Sequence, residues 1–116
     1  MTNPRADPST ADPRATVALF YQLVTAHRYD EASALWSSRM RATYPPSTNV
    51  NGRFDATRSI SVRSSQISSQ TASTAVVLVD IVEVMKDGSV REWVGQWELA
   101  RSGSVWLMDA PGLARA

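Results

Sequence analysis

The stretch that most limits what this chain can fold into is Thr74 to Met85, TAVVLVDIVEVM. It is dense in β-branched residues, which suit a pleated strand. Ala75, Val77, Val79, Ile81, Glu83 and Met85 fall on one face, and Val76, Leu78, Asp80, Val82 and Val84 on the other. Both faces are mostly apolar, so both should be covered. Apolarity alone would also allow a helix of this length, and the β-branched content decides for a strand. Lys86-Asp87-Gly88-Ser89 follows, and Asp-Gly is a strong hairpin signal. The return strand is Val90 to Arg101, where Gly95 marks a bulge or a close backbone approach. A turn at Arg101-Ser102-Gly103-Ser104 leads to a last strand, Val105 to Asp109, closed by Pro111-Gly112. Upstream, Thr57 to Ser69 alternates weakly through Ile60, Val62 and Ile67 and reads as a more exposed fourth strand.

The first half reads as helices. Asp12-Pro13 is a helix start, since Asp can cap and Pro suits the first helical position. Val17, Phe20, Tyr21 and Val24 then fall at helical spacing over Arg14 to Ala26. His27-Arg28-Tyr29 is a tight break. Asp30 is expected to cap a second helix carrying Ala32, Leu35 and Trp36, with Met40 a turn further on. Ser37-Ser38 would break it and leave a short third helix over Arg39 to Thr43. Pro45-Pro46 should end the helical region, and residues 47–56 read as a loop with a turn at Asn51-Gly52. Helices followed by hairpin-linked strands give an α+β domain, N-terminal helices packed on a curved four-stranded antiparallel sheet.

At 116 residues the chain makes one domain with a real core. The segment 1–12, with Pro4 and Pro8 among small polar residues, reads as a disordered linker-like tail, the domain as 13–113, and 114–116 as a short tail. The start fits either a native tail or a domain cut from a longer chain, so the expected compartment is cytoplasmic in the first case and extracytoplasmic in the second if the parent is membrane-anchored. No apolar run approaches a membrane span. The formal net charge is +1, which argues against nucleic-acid binding. With no Cys and one His, neither a disulfide framework nor a thiolate metal site is open to the chain, and no cofactor motif is present.

Several side chains stand out. Asp80 and Glu83 interrupt an apolar strand on opposite faces; each is a buried-carboxylate candidate or the partner of an arginine such as Arg91 or Arg63. Trp36, Tyr44, Phe54, Trp93, Trp97 and Trp106 would line or fill a space between sheet and helices. Arg39, Arg41, Arg53, Arg58 and Arg63 form a basic run that could hold an anion, a partner's acidic surface or only solvent. From these, Trp36, Tyr44, Asp80, Trp97 and Arg39 are the candidate ligand-binding set. His27 reads as a turn residue rather than a base.

The helix segments FYQLV, AHRYDEASALW and SSRMRATYPP, with the closing WVGQWELAR and VWLMDAPGL, resemble the nuclear-transport-factor-2-like superfamily over about residues 13–113. The resemblance implies a cone-shaped α+β fold. In that superfamily's ketosteroid isomerases the oxyanion-donating Tyr aligns with Phe20 and the general-base Asp with Tyr44. Phe20 cannot donate a hydrogen bond, and a tyrosine with a pKa near ~10 is a poor base. The resemblance therefore implies a non-enzymatic accessory or binding domain, with an isomerase- or cyclase-like enzyme as the alternative. The partners implied are a small apolar ligand, and a second copy or a neighbouring domain on the outer sheet face.

Overall fold

Asp12 accepts a hydrogen bond from the Arg14 amide at 2.9 Å and starts α1, Pro13–Thr25. The computed structural model describes residues 12–116; of the tail expected over 1–12, only Asp12 lies within the described residues, and it caps the helix instead. Helix α1 buries Val17, Phe20, Tyr21 and Val24, one apolar stripe at helical spacing. It stops at His27, whose φ of 60° turns the chain left-handed. Its Nδ1 lies 2.9 Å from the Tyr29 hydroxyl, which fits the turn role.

The second helix departs from expectation. Helix α2 is only Tyr29–Ser33, with Arg28 at its N-cap and Asp30 inside its first turn. Trp36 leaves the helix and forms a parallel bridge with Met108. The Met108 amide donates to Leu35 O at 2.8 Å, and the Ser37 amide to Met108 O at 2.9 Å. Those bonds replace helical ones and carry Trp36 into the core, where it is 3% exposed. Ser37 then caps α3, Ser38–Thr43, through the Met40 amide. The prolines do not end the helical region. Pro45 O accepts from the Thr48 and Asn49 amides, and a π-helical turn, Ser47–Gly52, buries Val50. Asn51-Gly52 belongs to that turn.

The sheet contains β1 (Thr57–Gln70), β2 (Thr74–Met85), β3 (Val90–Ser102) and β4 (Val105–Arg115), all antiparallel neighbours in chain order. The helices pack on one face of it, so the architecture is α+β. The odd-numbered residues of β2 are the buried ones. Trp97, Leu99, Trp106 and Met108 complete the inner face. Thr25, at the end of α1, donates to Ile60 O at 2.8 Å and accepts from the Ile60 amide at 2.9 Å. One hydroxyl thereby satisfies both edge groups of that β1 residue. No helix among the described residues is long and apolar enough to cross a membrane.

Two features shape the far end of β4. Glu98 pairs with Ala110 and Leu99 with Met108, so Asp109 is an extra, bulged residue. Before the bulge Trp106 and Met108 face inward; beyond it Pro111 and Leu113 do. The strand therefore does not close at Pro111-Gly112. It continues to Arg115, and residues 114 and 115 are strand rather than tail. An edge strand tolerates a proline whose missing N–H would face away from the ladder. Opposite it, Gly95 has φ 147°, and a Cβ there would lie 2.0 Å from Gly112 O.

Candidate functional site

Between the inner sheet face and the helices lies a cavity of about 240 Å³. Its wall is largely aromatic. Phe20 sits at the centre, stacked on Trp36 with centroids 5.6 Å apart and edge-on to Tyr21 at 4.9 Å. Phe54 and Trp97 each lie 6.3 Å from the same ring. Met40 and Tyr44 from the α3 region, and Pro111 and Leu113 from β4, close the sides.

The polar groups at this wall differ in how well they are satisfied. The Trp97 indole N–H donates to the Tyr21 hydroxyl at 3.1 Å, and burial pushes that hydroxyl well above the usual phenol range. The Trp36 indole N–H is buried without a hydrogen-bond partner among the described residues. Arg53 and Trp93 also line the cavity, and behind them Glu83 is wholly buried. Its carboxylate accepts from both Arg53 Nη atoms at 2.9 Å, from Thr57 Oγ1 at 2.5 Å and from Trp93 Nε1 at 3.0 Å. Burial alone would raise the Glu83 pKa. The Arg53 bonds, with those of Thr57 and Trp93 and the Arg53 charge, outweigh it and hold the group below the usual carboxylate range. A carboxylate with four donors is a structural anchor and a weak base.

Of the candidate set, Trp36, Tyr44 and Trp97 come together in the cavity wall. Asp80 does not join them. It lies on the outer sheet face, where Arg63 bonds it at 2.8 Å and Glu92 at 2.7 Å. Arg39 is also elsewhere, paired with the bulged Asp109, which Ser37 holds at 2.6 Å. The pairing of Asp80 with Arg63 follows the sequence reading. Glu83 takes Arg53 in place of Arg91 or Arg63, because the π-helical turn carries Arg53 over the sheet end. Tyr21, Pro111 and Leu113 were not singled out as site residues; Tyr21 read as ordinary core stripe, and the two β4 residues depend on a bulge that leaves no compositional mark.

Compared with known proteins, the chain matches no family model and no curated protein. It is similar to the solution structure of a SEC-C motif containing protein from Rhodopseudomonas palustris. The TM-score is 0.71 at 14% identity, over 88% of this chain and 78% of that one. At that identity the likeness shows the fold alone. It also corrects the resemblance to the nuclear-transport-factor-2-like superfamily, which rested on apolar spacing and a few aromatics that many helix-then-meander chains share: the structural likeness is to a SEC-C motif containing protein.

Proposed function

We propose that this chain is a non-enzymatic binding domain whose aromatic cavity takes a small apolar molecule. The observation that carries this is the combination of a 240 Å³ cavity lined by Trp36 and a buried Trp36 N–H with no partner among the described residues. Apolar cavities with few polar groups are the usual form of small-molecule sites. A catalytic reading has less support. Among the described residues Glu83 is the only buried carboxylate, and its lone pairs are committed to Arg53, Thr57 and Trp93.

The test is a titration with 3-phenylpropanamide, a neutral probe, followed through the indole N–H signals in NMR spectra. Saturable shifts at Trp36, Trp93 and Trp97 are expected. Leu113→Trp, which fills the space from the edge strand, should abolish them while the remaining spectrum stays folded. Absence of saturable shifts in the wild type, or undiminished binding by the filled variant, removes this reading.

A second reading concerns the outer sheet face. Leu78, Val90 and Val94 are 40%, 58% and 41% exposed there. Arg63 bridges Asp80 and Glu92 within the same face, so both carboxylates next to those side chains are paired and the triad keeps one net negative charge. A second copy packed face to face would cover these side chains. Light scattering at micromolar concentration should show a dimer that Leu78→Glu with Val94→Glu converts to monomer. A monomeric wild type sinks the idea.

A further inference from the structure

We infer that the ligand of the cavity carries an anionic head group, a carboxylate on an apolar body of about one ring, with the head at Arg115. This rests on the binding-domain reading above and adds the ligand class. The Asp109 bulge sets the inward series on β4 as Pro111, Leu113 and Arg115. The first two are cavity wall, and Arg115 is the next step along the same face, directly opposite Trp93. Its guanidinium lies 5.4 Å from the Trp93 ring centroid, and that of Arg53 lies 5.3 Å from the same ring. Two guanidiniums thus flank one aromatic at the rim.

Their charges are not equivalent. Arg53 is neutralised by Glu83. Arg115 makes no ion pair among the described residues, whereas Arg14, Arg28, Arg39 and Arg63 each have a carboxylate partner. Arg91 stands on the same inner face, opposite Glu83, but its charge acts on Asp87, which leaves Arg115 as the cation beside Trp93 with no ion pair among the described residues. An apolar cavity bordered by uncompensated positive charge fits an amphipathic anion. Size narrows the class: an apolar cavity of ~150 Å³ accommodates benzene, so 240 Å³ suits one ring with a short side chain.

The experiment compares 3-phenylpropanoate with 3-phenylpropanamide by calorimetry on the whole chain at pH 7. The anion should bind about tenfold more tightly at low salt, as a charge-assisted hydrogen bond allows, and the margin should shrink as salt rises. Arg115→Gln should bring the anion to the affinity of the amide and leave the amide within about twofold, since Arg115 lies at the rim, beyond the apolar wall. Equal affinities in the wild type, or an Arg115→Gln variant that keeps the preference, overturn the anionic head and leave the binding-domain reading standing. If neither probe binds, both fall.

Discussion

Replacing Glu83 with alanine is expected to lower folding stability by about 3–5 kcal/mol, read as an earlier urea midpoint at unchanged slope. The magnitude follows from what the change strands. Arg53 loses both of its 2.9 Å partners, the buried Thr57 hydroxyl loses its acceptor, and so does the part-buried Trp93 indole. Arg53 is 35% exposed, so its guanidinium can turn toward solvent, which places the loss at the lower end of that range. Removing the charges together should cost less, because no buried ion is left unpaired; Arg53→Leu with Glu83→Leu should recover part of the stability. Acid gives a second readout. The carboxyl is held below its unfolded value of 4.5. Its contribution is therefore complete above that pH and is lost as pH falls through the lower folded value. The wild type should lose stability on that acid limb more steeply than the alanine variant. A cost below about 1 kcal/mol, the scale of an exposed ion pair, would mean that the network is a surface contact.

Gly95→Ala is the second large effect. The residue has φ 147°, a region that L side chains rarely adopt, and the new Cβ would lie 2.0 Å from Gly112 O. Backbone strain of about 1–3 kcal/mol adds to an overpacking cost of about 1–3 kcal/mol. The contact is with backbone, so no rotamer change relieves it; β4 itself has to move. Calorimetry should show a lower melting temperature, and amide exchange should accelerate over 110–115 ahead of the rest of the sheet. Protection of that segment equal to wild type would show that the two strands separate without cost.

Much of the sheet was legible because its signals are local. The β-branched run 74–85, Asp87-Gly88 and Gly103 state strands and turns within a few residues, and Gly95 announced a bulge or a close approach, of which the structure has the close approach. What escaped depended on distant partners. Trp36 sits at helical spacing from Ala32, yet the strand that takes it out of the helix is 72 positions away, at Met108. Alternation placed Asp80 and Glu83 on opposite faces correctly, but both faces are apolar, so the pattern could not say which was inside. Arg39 read as part of a basic run, and its partner Asp109 lies 70 residues on. The aromatic wall was half legible: Trp36, Tyr44 and Trp97 were identifiable by size, whereas Pro111 and Leu113 reach it only through the bulge.

That bulge divides one strand into two independently editable parts. Residues 105–108 answer to the core, where Trp106 and Met108 are 1% and 0% exposed; residues 111–115 answer to the cavity. If the bulge were ironed out with Asp109 kept in the ladder, plain alternation would turn Pro111, Leu113 and Arg115 to the outer face and bring Ala110, Gly112 and Ala114 inward, while Trp106 and Met108 kept their seats; deleting Asp109 would instead remove the bulge and leave every face as it is. Loss of the bulge at constant length would therefore exchange a bulky, cationic wall for a small, neutral one with the composition untouched. In a lineage of such domains, flattening or forming this bulge at constant length would diversify what is bound faster than substitutions in the core, because it re-aims three wall positions in one step.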